Sequence, residues 1–132
     1  MKKKKCLVAG NWKMHLVREE VVSLCKTISD FVSQRRYTDR DVMIAPPFPY
    51  LIVAASSVNP VYISIGSQNI YFEKEGAFTG EVSPYMVKDC GASYCIIGHS
   101  ERRKYFFETE EMLKKKIIAA MSVGLVPIYC VG

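Results

Sequence analysis

A chain of 132 residues that is 49% hydrophobic and 11% aromatic has enough apolar side chain to bury one domain core, which excludes a disordered polymer. Its formal net charge of +5 is an end effect: setting Lys2, Lys3, Lys4 and Lys5 aside from the 18 basic residues leaves 14 against 13 acidic ones, so a solvated tail is expected, nuclear localisation or contact with an anionic surface being the alternative, and no nucleic acid and no membrane are expected among the partners. Only Cys6 to Ala9 are apolar behind that tail, too few for a secretory leader, no run approaches the roughly 18 apolar residues that span a bilayer, and five cysteines without CxxC spacing suit free thiols in a reducing compartment; the expected location is cytoplasmic.

In chain order, short runs rich in β-branched residues predict five strands, at Cys6 to Ala9, Val42 to Ala45, Val61 to Ile65, Tyr94 to Ile97 and Val126 to Val131. Between the first two, Val17, Val21, Leu24, Cys25, Ile28, Phe31 and Val32 recur at helical spacing with charged residues opposite. A shorter helix is expected over Pro49 to Ser57. A third begins at an N-cap Ser83 with Pro84 in its first turn and stops at Gly91. A fourth begins at Thr109, carries Glu110 and Glu111 in its first turn, and ends at Gly124. Strands that start roughly 20 to 36 residues apart with a helix in each gap have the spacing of parallel strands joined by crossovers, so the fold class is α/β. Periodicity alone leaves two architectures open, a doubly wound sheet and part of a (β/α) barrel. The lone glycine of "AGNWKMH" counts against a dinucleotide fold.

Ligands of parallel α/β proteins meet the carboxyl ends of the strands, and three of those ends are unusually polar here. The first strand runs into Asn11 and Lys13, the third into Gln68 and Asn69, and the fourth into His99, Ser100, Glu101 and Arg102. Each alone reads as a turn residue, a solvated lysine or a satisfied histidine. A cation, amides and an imidazole converging on one mouth are what an anionic, carbonyl-bearing small molecule needs. "GHSER" is no nucleophile elbow, because Arg102 stands where the sharp turn needs a small residue. With only His15 and His99, neither at ligand-like spacing, no metal or cofactor is expected. The long connection "QNIYFEKEGAFTGEV" carries Tyr71, Phe72 and Phe78, which need burial either against a second subunit, the preferred reading, or against their own domain.

"AGNWKMH", "APP" at Ala45 to Pro47, "GAFTGEVSP" from Gly76, "KDCGA" from Lys88 and "IIGHSERR" from Ile96 closely resemble the triosephosphate isomerase family, in the same order and along the whole chain. The resemblance implies the first part of a (β/α)8 barrel, with residues 1–132 forming an N-terminal portion of one barrel domain. It implies interconversion of dihydroxyacetone phosphate and glyceraldehyde 3-phosphate by proton transfer through an enediolate, in glycolysis and gluconeogenesis. Asn11 and Lys13 look like the substrate-contacting pair, His99 like the neutral electrophile and Glu101 like the acid beside Lys13 and Ser100; this enzyme is itself a standard illustration of a histidine kept neutral by a helix N-terminus. Thr79, Gln68, Phe78, Glu81 and Arg102 resemble residues of the family's homodimer interface, Thr79 reaching the neighbour's Asn11 and Lys13, and Glu81 pairing with Arg102 across it.

His15, Tyr94 and the lysine-rich start depart mildly from the pattern. Length departs more: "YCVG" ends the fifth strand, ahead of the family's catalytic glutamate and phosphate-gripping loops. Residues 1–132 alone are therefore expected to be inactive. The alternative is a shortened, non-catalytic relative acting through its dimer loop as an interaction module.

Overall fold

The structure, a computed structural model, describes residues 4–132; of the basic run, Lys2 and Lys3 lie outside the described residues. Five parallel strands, β1 (Cys6–Asn11), β2 (Arg40–Ala45), β3 (Ile63–Ser67), β4 (Tyr94–Ile97) and β5 (Val126–Tyr129), pair in sequence order into one curled sheet, the first part of a (β/α) barrel. The helices α1 (Arg18–Arg35), α2 (Leu51–Ser57), α3 (Pro84–Asp89), α4 (Ser100–Tyr105) and α5 (Glu110–Ser122) fill the crossovers, with a 3-10 turn over Phe48–Tyr50 leading into α2.

Local chemistry sets the helix limits. Ser83 Oγ accepts from the Met86 amide and Thr109 Oγ1 from the Met112 amide, so the two predicted N-caps are made. At the start of α1 the Glu20 carboxylate instead reaches back to the Val17 amide at 2.8 Å, one half of a capping box. Gly91 and Gly124, both at positive φ, follow α3 and α5 where the chain must turn back to the sheet. Strand limits differ from expectation in every strand but β4: β2 begins two residues early at Arg40, and β3 runs on to Ser67. β1 runs on to Asn11, β3 starts at Ile63 because Tyr62 and Ile63 both donate to the Asn59 carbonyl in a turn, and β5 ends at Tyr129. Periodicity gives no sign of the helix α4, since "SERRKY" is short and has no apolar stripe; only the family resemblance implies a helix after His99.

Register fixes which side chains share a face, because alternate residues of a strand point to opposite sides. Ile44, Ile63, Ile65, Cys95 and Ile97 face outward and pack with Val21, Cys25, Leu51, Ala54, Val87, Leu113 and Ala120 of the surrounding helices. Met43, Ala45 and Ile96 face the inside of the curl, with Tyr94, Ile128 and Cys130 against them. Gly66 makes this inner packing possible: a Cβ there would sit 2.7 Å from Met43 Sδ and 3.3 Å from Tyr94 Cβ. β1 and β5 are each paired on one side, and Leu7, Val8 and Val126 on them remain exposed. All five cysteines are free thiols, Cys25 and Cys95 fully buried and Cys6 exposed. Among the described residues no helix is long and apolar enough to cross a membrane.

Candidate active site

Lys13 follows β1 directly and has φ 54°, a left-handed backbone that a long side chain adopts only when its surroundings insist. Both of its peptide groups are held. Asn11 Oδ1 accepts from the Lys13 amide at 3.0 Å, and Gln68 Nε2, projecting from the end of β3, donates to the Lys13 carbonyl at 2.8 Å. The same Gln68 nitrogen also donates to the Ala45 carbonyl at 2.8 Å, at the end of β2. The lysine arm is thereby anchored by the ends of three adjacent strands. Gln68, expected at a subunit interface, is bonded within this site.

Lys13 Nζ lies 2.7 Å from Glu101 Oε1. Glu101 sits in the first turn of α4, and the lysine's hydrogen bond and charge, with a lesser pull from His99, hold its carboxyl below the usual glutamate range. Ser100 makes no hydrogen bond to the lysine, whose side-chain partner is Glu101.

His99 is the residue before α4 and caps it with its own ring: Nδ1 accepts from the Glu101 amide at 3.2 Å. Glu101 Oε2 is also 3.4 Å from Nδ1, a contact that would attract only a protonated ring. A backbone N–H can only donate, and the carboxylate is already engaged by Lys13. Nδ1 is therefore an acceptor, which leaves Nε2 to carry the ring proton as a donor free of protein partners. Asn11, Lys13, Gln68, His99 and Glu101 line an open cleft of about 230 Å³, with Met14 and Phe106 as apolar residues on its wall. A fixed ammonium and an imidazole N–H donor that line one small cleft can hold an anion and stabilise negative charge growing on an oxygen.

The connection beyond β3 divides its apolar residues. Ile70 is fully buried, Tyr71 stacks on Phe72 with ring centroids 4.2 Å apart, and the Phe78 ring lies 4.8 Å from Tyr71, so part of the loop packs on itself. Phe78 is still 40% exposed, and Thr79 and Glu81 at the tip are exposed too. Within the chain, Arg102 donates to Glu108 at 2.8 Å.

Two groupings go beyond the sequence expectations. Beneath α4, Glu108 is buried and takes hydrogen bonds from Arg102 and from Lys116, whose ammonium also reaches Asn69 Oδ1 at 2.7 Å. Burial is the largest influence on Glu108 and raises its pKa, but the hydrogen bonds and charges of Lys116 and Arg102 outweigh it and keep the carboxyl below its ordinary value. Burial likewise pushes the Lys116 ammonium down, against the pull of Glu108. Lys116 shares a helical stripe with Leu113 and Ala120, the one sequence signal that it points inward. Beside His99, Arg103 donates to the carbonyls of Gly98 at 2.8 Å and Cys130 at 3.0 Å and pairs with Glu110. No comparable signal marks Arg103, because its partners are mostly backbone.

A parallel α/β half-barrel with a lysine, a histidine and a carboxylate gathered at the carboxyl ends of its strands has the architecture of the first part of a (β/α) barrel. The triosephosphate isomerase family model matches residues 6–132, and the chain belongs to that family. It is 47% identical to a triosephosphate isomerase of Dictyoglomus thermophilum over 126 residues, covering 96% of this chain and 50% of that protein. The corresponding protein of Carboxydothermus hydrogenoformans is 47% identical over 129 residues, 98% of this chain and 51% of its own length, and that of Prochlorococcus marinus 45% over 136 residues, 98% and 53%. The chain thus spans about half the length of the curated relatives it matches.

Proposed function

We propose that this chain is the N-terminal portion of a triosephosphate isomerase barrel domain and supplies the electrophilic half of its site. The single observation that supports this most is the preset Lys13, held at both peptide groups and paired with Glu101 at 2.7 Å, in one cleft with a His99 whose ring N–H is free of protein partners. An incoming triose phosphate competes with Glu101 for the Lys13 ammonium, and Asn11 offers its remaining amide to the same ligand. His99 Nε2–H bonds the substrate oxygens and stabilises the enediolate as a proton leaves the neighbouring carbon. Oxyanion stabilisation of this kind is worth about 10² to 10³ in rate per donor.

The proton still needs a base. Among the described residues no carboxylate lines the cleft except Glu101, which is engaged by Lys13, so in this reading the general base, worth roughly 10² to 10⁴, comes from the half of the barrel that the relatives have in addition. These 132 residues alone are inactive in this reading. Exposed Phe78, Thr79 and Glu81 at the loop tip serve a homodimer of the completed barrel. The test is a coupled isomerase assay on the chain alone and with a C-terminal half supplied in trans. Turnover is expected only with both halves, and to fall by at least about 10² in Lys13→Met and in His99→Gln. Native-like turnover by the chain alone, or unchanged turnover in those variants, would refute the assignment.

A further inference from the structure

Gly98 lies between β4 and His99 with φ +73°, a backbone that only glycine adopts freely, so the residue carrying the imidazole hangs from the least restrained kind of peptide in the chain. What restrains it is a side chain. The Arg103 guanidinium donates through Nε to the Gly98 carbonyl at 2.8 Å and through Nη2 to the Cys130 carbonyl at 3.0 Å, just beyond β5. Its third face pairs with Glu110, whose other oxygen takes the Tyr129 hydroxyl at 2.8 Å. The guanidinium is also packed onto the glycine: a Cβ at Gly98 would meet Arg103 Nη2 and Leu113 Cδ1, each at 3.0 Å. One planar cation thus joins the mouths of β4 and β5 to the start of α5, a task that suits the rigid fork of arginine and not a point-like ammonium.

We infer that Arg103 is a positioning residue that holds the Gly98–His99 peptide, and through it the His99 ring, in the orientation that keeps Nδ1 on the Glu101 amide and so leaves the ring proton on Nε2. Its importance for catalysis rests on the isomerase reading above; its effect on the ring does not.

The test is long-range nitrogen NMR of the protein, whose two histidines make assignment simple. Wild type should show His99 as a single tautomer with Nδ1 unprotonated. In Arg103→Met the two His99 nitrogen signals should converge or broaden by exchange while those of His15 stay put, and Arg103→Lys, which can reach one carbonyl but not both, should recover only part of the single-tautomer signal. Glu110→Gln, which leaves the arginine in place but removes its anchor, should shift His99 the same way by less. An unchanged His99 spectrum in a folded Arg103→Met, or full recovery by lysine, overturns the inference. So does an unfolded Arg103→Met beside a Glu110→Gln that leaves His99 unmoved, or loss of folding in all three variants. The readout needs no turnover, so an absent isomerase activity would count against the function and leave the clamp standing.

Discussion

Glu108→Gln keeps the shape of the side chain and removes one charge from beneath α4. In the parent, the Glu108 and Lys116 side chains are 1% and 2% exposed, and Arg102, at 27%, is the only member of the trio with access to water. The variant leaves the Lys116 ammonium with Asn69 Oδ1 and a neutral amide oxygen, and breaking a buried pair in this way costs about 3–5 kcal/mol. The lysine has one escape, which is to lose its proton. Taking an ordinary ammonium of pKa ~10.4 to neutrality at pH 7 costs about 4.6 kcal/mol, so the penalty saturates near the top of that range. Against a total stability of about 5–15 kcal/mol, the loss is large enough to move a urea midpoint well outside error. Adding Lys116→Met should recover most of it, because the desolvated charge goes with the lysine. The acid limb carries a second signature. With its folded pKa depressed, Glu108 contributes stability that is present above the unfolded value near ~4.3 and lost as pH falls through the lower folded value, so the parent should destabilise below about pH 4 more steeply than the double variant. Circular dichroism during urea titration at several pH values measures both. A single-variant loss under about 1 kcal/mol, or a double variant no more stable than the single, would show that the trio is not an electrostatic unit.

Other outcomes follow from single contacts. Phe107, 80% exposed at φ 55°, has a backbone that disfavours a side chain by about 1–2 kcal/mol, of which glycine's flexibility returns roughly half, so Phe107→Gly should gain about 0.5–1 kcal/mol in the same melts. Thr109→Ala should lose about 1 kcal/mol with the Met112 cap, and Thr109→Ser nearly none; equal losses would place the threonine's value elsewhere. Gly66→Ala should cost about 1–3 kcal/mol by pressing on Met43 and Tyr94, unless thermal melts show that the methionine tip swings clear. Carboxyl-carbon NMR should find Glu101 titrating below an ordinary glutamate, and its midpoint should rise in Lys13→Met; an unmoved midpoint would break the pairing assigned here.

How much of this was readable from residues alone depended on whether a signal was local. Ser83 and Thr109 announced helix starts because capping is a matter of one side chain and the next turn. The outward faces of β2 to β4 were plain from β-branched runs. The helix α4 was not, because its start is capped by an imidazole, a rare choice, and its six residues are held by ion pairs rather than by a stripe. Asn11, Lys13, His99 and Glu101 were identifiable as polar strand ends, yet not the pinning of the Lys13 peptide, which needs residues 55 positions apart. Lys116 was hidden in "KKK", where only its phase relative to Leu113 and Ala120 separates it from two solvated neighbours. Arg103 had no marker, since carbonyls that it bonds have no side-chain identity.

The Gln68 amide has one more implication. Its single nitrogen touches one carbonyl just beyond β1 and one on the last residue of β2 while its own backbone continues β3, so it gauges the alignment of all three strands at once. A slip of one residue in a strand turns every side chain to the opposite face, and here it would also pull one of those carbonyls out of reach. The sheet therefore has an error check at the place where its chemistry sits: a misaligned strand fails to seat Gln68, and Lys13 then loses the bond that keeps its unusual backbone.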